Sequence, residues 1–142
     1  MAPAIVTPEK TILIVDDSPL SLEYARRGLS TLGFRVVTRG NAIGTAAAVL
    51  REKPAVVLLD VTMPTLNGVE VCQSIRDSSA VHDTVVLLYS DRPEMELVRL
   101  TRECRANGYV VKGAGMGSLI AAVKAWVGDH ELPPPITPRK EI

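Results

Sequence analysis

The 142-residue chain carries sixteen basic and sixteen acidic residues, so no excess charge points to nucleic acid or an anionic membrane. Apolar residues make up 46% and charged residues 23%, the balance of a soluble globular chain long enough for one domain with its own core. The first apolar run is too short to span a bilayer and is broken by Asp16-Asp17, and no signal peptide is visible. Cys72 and Cys104 lack metal-binding or redox spacing and read as buried or half-buried thiols of a reducing cytosol.

Residues 1–9 carry two prolines and no periodicity, which predicts a loose lead-in. Thr11-Ile12-Leu13-Ile14-Val15 reads as a buried strand ending in Asp16-Asp17. Ser18 is a natural N-cap and Pro19 fits the first helical position, so a helix follows with Leu22, Ala25, Leu29 and Leu32 on its apolar stripe and Gly33 closing it. Arg26 and Arg27 fall on its wet side. Phe34–Thr38 is the second strand, and the Ala46-Ala47-Ala48 run predicts a helix from about Asn41 to Arg51, stopped at Lys53-Pro54.

The next stretch is the most informative. Val56-Val57-Leu58-Leu59 is apolar at every position, as a strand covered on both faces must be, and it ends in Asp60. A turn through Met63-Pro64 and Gly68 leads to a helix from about Val69 to Arg76. Thr84–Tyr89 is a fourth buried strand ending in Ser90-Asp91, and Pro93 opens a helix carrying Met95, Leu97, Val98, Leu100 and Thr101 up to about Ala106. Asn107-Gly108 turns into a short fifth strand, Tyr109-Val110-Val111, which ends in Lys112. A glycine-rich loop, 113–117, precedes a last helix with Leu119, Ile120, Val123, Trp126 and Val127 on its apolar face. Four prolines in 129–142 predict an extended tail or linker, too short for a DNA-binding module. Five strand–helix repeats with short connections imply one α/β domain over 10–128, with a parallel sheet between two helical layers.

In parallel sheets the C-terminal strand ends share one edge, where ligands and chemistry collect. Asp16, Asp17, Asp60, Ser90 and Lys112 would meet there. Three neighbouring carboxylates repel, and a hard divalent cation such as Mg²⁺ compensates them with room for retained waters. A carboxylate-held cation beside a lysine and a hydroxyl is how proteins neutralise a phosphoryl group in transfer, and Asp60 is the carboxylate left to attack phosphorus.

With these residues in view, the chain resembles the receiver domains of bacterial two-component response regulators, the CheY-like family. The likeness rests on Asp16-Asp17, on Asp60 within Asp-Val-Thr-Met-Pro-Thr-Leu-Asn-Gly, on Ser90, and on Asn107-Gly108-Tyr109-Val110-Val111-Lys112, over roughly residues 10–128. The resemblance implies a flavodoxin/CheY-like (βα)5 fold with strand order 2-1-3-4-5. It implies that Asp60 is the phosphoacceptor, that Asp17 ligates Mg²⁺ directly and Asp16 largely through water, and that the Thr62 backbone carbonyl adds a ligand. Ser90 and Tyr109 match the switch pair, and Lys112 matches the lysine that pairs with phosphoryl oxygens. Family members catalyse their own phosphorylation and dephosphorylation but serve primarily as signalling switches. The implied partners are a sensor histidine kinase or phosphotransfer protein and an unidentified downstream protein, with no direct nucleic-acid or membrane binding and a homodimer left open.

Gly113 stands where the family usually has a proline, often after a cis bond, so no inherited cis bond and a more pliable loop are expected. Thr62 and Arg92 occupy variable positions that tune phosphoryl lifetime in the family. A flavodoxin-type electron carrier would need a flavin-phosphate cradle after strand 1, where two carboxylates stand instead. A haloacid-dehalogenase-type phosphatase would need a second acid at position 62, which is threonine. The alternative is a phosphorylation-independent pseudo-receiver that only binds proteins. The late glycine-rich loop lacks nucleotide-binding spacing, and His82 and His130 read as solvated.

Overall fold

The computed structural model describes residues 10–62, 68–81 and 83–127. The expected lead-in over 1–9, the turn at 63–67, His82, His130 and the tail over 129–142 lie outside the described residues.

Strands β1 (Thr11–Val15), β2 (Arg35–Arg39), β3 (Val56–Leu59), β4 (Val85–Ser90) and β5 (Gly108–Val111) alternate with helices α1 (Pro19–Ser30), α2 (Thr45–Glu52), α3 (Gly68–Asp77), α4 (Glu94–Cys104) and α5 (Met116–Val127). All neighbouring strands pair in parallel, in the order β2-β1-β3-β4-β5. The fold is thus the flavodoxin/CheY-like doubly wound sheet.

Strand geometry explains the two cores, because successive side chains point to opposite faces. Leu13, Val15, Val57, Leu59, Val86 and Leu88 pack with Val49 of α2, Cys72 and Ile75 of α3, and Leu97 and Cys104 of α4. Ile12, Ile14, Leu58, Leu87, Tyr89 and Val110 pack with Ala25 and Leu29 of α1 and Leu119 and Val123 of α5. Both cysteines are buried free thiols. The central strands have no wet face, which is why their sequences do not alternate. Among the described residues no helix is long and apolar enough to cross a membrane.

Several local expectations change. Helix α2 begins at Thr45, not Asn41, because the Asn41 side chain accepts the Ile43 N–H at 2.8 Å and Gly44 sits at φ +83°. That side-chain turn competes with a helical start. Strand β4 includes Ser90 itself, and α4 stops at Cys104, where Arg105 turns left-handed at φ +63°. Leu32, Met95 and Trp126 are apolar yet exposed, Met95 by 86%. The glycine-rich stretch is not one loop: Lys112–Ala114 forms a 3₁₀ turn, and Met116 and Gly117 already belong to α5. Every peptide bond among the described residues is trans.

Candidate functional site

Strands are added on opposite sides of β1, β2 on one and β3 on the other, so β1 leads to α1 on one face of the sheet while β3 leads to α3 on the other. The crevice between those departing connections is where doubly wound folds bind their ligands. Asp16 and Asp17 leave β1 there and Asp60 leaves β3, its N–H donating to Val15 O at 2.9 Å. One oxygen from each of the three carboxylates lies within 4.8 Å of the others.

The three acids are held differently. Asp16 is fully buried, and its oxygens accept from Ser18 N at 2.9 Å, Ser21 Oγ at 2.7 Å and Lys112 Nζ at 2.6 Å. Asp17 is exposed. Asp60 is 3% exposed; its Oδ1 accepts from Thr62 N at 2.9 Å and Thr62 Oγ1 at 2.5 Å, and its Oδ2 faces Lys112 Nζ at 3.5 Å. Burial pushes the Asp60 carboxyl above its ordinary range, helped by the charge of Asp16, while the Thr62 hydrogen bonds and Lys112 pull the other way. Burial would lower the Lys112 ammonium, but the Asp16 hydrogen bond and the charges of Asp60 and Asp16 outweigh it and hold it above its usual value.

Backbone placement is equally constrained at Gly68, the first residue of α3. A Cβ there would lie 2.4 Å from Asp60 O and 2.7 Å from Val61 Cα. Only glycine lets α3 start this close behind the strand end. At β4, Ser90 is fully buried and its Oγ accepts the Arg92 N–H at 3.1 Å. Tyr109, on β5, is half-buried and donates its hydroxyl to Glu94 Oε2 at 2.6 Å, at the start of α4; that acceptor raises the pKa of the phenol.

The structure therefore brings Asp16, Asp17, Asp60 and Lys112 together, and ties Ser90 to the loop before α4 and Tyr109 to the first residue of that helix. Ser21, the Thr62 hydroxyl, Glu94 and Tyr89, whose ring centroid lies 5.5 Å from Lys112 Nζ, join them without having been singled out as contacts in the sequence. Three carboxylate oxygens at this separation form a donor set suited to a hard divalent cation.

The family model of the response regulator receiver domain matches residues 12–124. The chain belongs to that family. This receiver domain is 33% identical over 128 residues to the DNA-binding response regulator MtrA of Mycolicibacterium smegmatis, covering 90% of this chain and 55% of MtrA. It is 29% identical to the probable transcriptional regulatory protein TcrX of Mycobacterium tuberculosis, covering 81% of this chain and 48% of TcrX. The receiver domain thus spans about half the length of the curated relatives it matches. Among solved structures, DrrB of Thermotoga maritima is similar at 31% identity and TM-score 0.72, over 84% of this chain and 53% of that one. The CheY4 chemotaxis protein of Vibrio cholerae shares the fold, with TM-score 0.77 at 23% identity over 84% of this chain and 99% of that one.

Proposed function

We propose that this domain, over residues 10–128, accepts a phosphoryl group on Asp60 from a sensor histidine kinase or phosphotransfer protein and thereby switches a protein-binding surface. The observation that carries the reading is the buried Asp60 carboxylate, faced by Lys112 and clustered with two further acids at the strand ends. An Asp60 oxygen attacks phosphorus, the phosphorus–nitrogen bond to the donor histidine breaks, and the neutral imidazole leaves once protonated; the product is an acyl phosphate. Asp17, Asp60 and the Thr62 backbone carbonyl would hold Mg²⁺, with Asp16 acting largely through water. When bound, the cation neutralises charge on the transferring oxygens. Lys112 lies within reach of Asp60 to pair with the same oxygens.

The Thr62 hydroxyl occupies Asp60 Oδ1 in the resting site and must release it, or share it, before that oxygen can act as nucleophile. Ser90 is the hydroxyl assigned to turn toward the phosphoryl group, and Tyr109 the side chain that follows it. A beryllofluoride-activated receiver domain of DrrB is among the similar folds, at 30% identity. That likeness supports an activation chemistry of this kind. The test is mass measurement after incubation with acetyl phosphate and Mg²⁺. The wild type should gain one phosphoryl group and Asp60→Asn none, because the amide is a poor nucleophile. Labelling that persists in the variant would move the site elsewhere, and an unlabelled wild type would favour a pseudo-receiver.

A further inference from the structure

We propose that Tyr89 is a positioning residue for Lys112, its ring forming the floor that holds the ammonium against Asp16 and Asp60. The inference rests on the phosphoacceptor reading for its consequence, though not for the contact itself. Lys112 Nζ lies 5.5 Å from the centroid of the Tyr89 ring. Tyr89 is 3% exposed, so the ring face is shielded from water, where attraction between a cation and an aromatic quadrupole is strongest.

Strand register brings the two residues together. Tyr89 pairs with Val110, and both side chains belong to the core on the α1/α5 face. Lys112 follows directly on the end of β5, and its ammonium reaches back over the Tyr89 ring to Asp16. Ser90, the next residue along β4, points the other way. Adjacent positions of one strand thus face different ways, the serine hydroxyl accepting the Arg92 N–H and the aromatic face lying under the Lys112 ammonium.

The backbone beyond Lys112 gives a reason for this support. The residue heads a 3₁₀ turn, and neither Gly113 nor Gly115 would meet any atom within 4 Å if it carried a Cβ. Gly115 also sits at φ +98°. No side chain at either glycine wedges the turn against its surroundings, so the contacts of the Lys112 side chain itself bear on where the ammonium sits. Two of those contacts are the carboxylates at 2.6 and 3.5 Å. The third is the ring, the one contact of the three that is not a carboxylate.

The experiment compares the full chain with Tyr89→Phe, Tyr89→Leu and Tyr89→Met, using acetyl phosphate with Mg²⁺ as the probe and thermal unfolding as a check on folding. The Lys112 ε-methylene protons should be shifted upfield by the ring current in the wild type and in Tyr89→Phe, and return to ordinary positions in the two aliphatic variants. Asp60 labelling should slow about threefold to tenfold in the aliphatic variants, as expected for a shielded cation–aromatic contact, and recover to within about twofold in Tyr89→Phe. An ordinary Lys112 shift in the wild type overturns the proposal without any variant having to fold. Wild-type labelling rates in a folded Leu or Met variant overturn it as well, as does a Phe variant as slow as Leu. A wild type that takes up no phosphoryl group at all defeats the phosphoacceptor reading instead, while the ring-current shift still decides the contact.

Discussion

Asp16 and Asp17 are neighbours in sequence with opposite environments, and that difference sets what each can do. Asp16 is fully buried, with donors from Ser18, Ser21 and Lys112 already on its oxygens, whereas Asp17 is exposed within the same carboxylate cluster. A cation can take Asp17 as a ligand without displacing anything, but must compete for Asp16. On the proposed reading, Asp16→Ala should weaken Mg²⁺ by about tenfold, typical for an outer-shell partner, and Asp17→Ala by more. Calorimetric titration checks this, and equal affinity in the wild type and Asp17→Ala would remove Asp17 from the site. Without metal, Asp17→Ala should also melt higher, because one of three mutually repelling charges is gone. The pairing of the acids was legible in the sequence because each ends a strand. The Ser21 and Thr62 hydroxyls were not, since a serine on a helix or a threonine in a turn gives no sign of which way its hydroxyl faces. Tyr89 was hidden for a related reason: a strand apolar on both faces does not show which layer any one residue enters.

At the scale of elements, the strands were readable because burial on both faces forces unbroken apolar runs, as in Val56–Leu59. Helix ends were less so. Asn41 and Gly44 divert the chain into a side-chain turn before α2, a local competition that alanine propensity does not reveal. Exposed apolar residues such as Leu32 and Trp126 were placed on apolar helix faces because hydropathy alone does not separate a core residue from a surface one. The junction between β3 and α3 makes the tightest demand. Gly68 backs onto the Asp60 carbonyl, and the atoms a side chain would strike there are backbone, which yields less easily than a flexible side chain. Gly68→Ala should therefore destabilise the fold by about 1–3 kcal/mol, as overpacking does. On the proposed reading it should also slow labelling of Asp60, because relief of the clash displaces the strand end that carries that carboxylate. Denaturant midpoints and acetyl phosphate labelling report the two effects separately. An alanine variant unchanged in both would mean the close approach is relaxed in solution.

For the whole molecule, two hydroxyls hold the approach to α4, one on the loop before it and one on its first residue. Ser90 Oγ holds the Arg92 N–H from inside the sheet edge, and Tyr109 Oη holds Glu94 from the β5 side. On the proposed reading, phosphorylated Asp60 attracts the Ser90 hydroxyl as a donor, so the Arg92 N–H loses its acceptor and the first tie opens. Tyr109 is then the side chain able to move into the vacated space, which would release Glu94 and reshape the surface formed by α4, β5 and α5. The sequence pointed to this pair, but not to Glu94, whose position four residues after Ser90 looks like ordinary helix surface. A shift of this kind involves about 1–3 kcal/mol, so both arrangements should be populated before activation and only their proportion should change. The turn after Lys112 bears on how far the change travels, since Gly113 and Gly115 have no side chains to wedge it against its surroundings and transmit strain into α5. Beryllofluoride with Mg²⁺, a phosphoryl mimic, should therefore shift NMR signals over residues 90–97 and 107–119, with the largest changes at Arg92, Glu94 and Tyr109. Tyr109→Phe, which cannot hold Glu94, should show part of the 90–97 change before beryllofluoride is added. Shifts restricted to the residues around Asp60 in the wild type would separate phosphorylation from this surface, and the output face would then have to lie on another side of the domain.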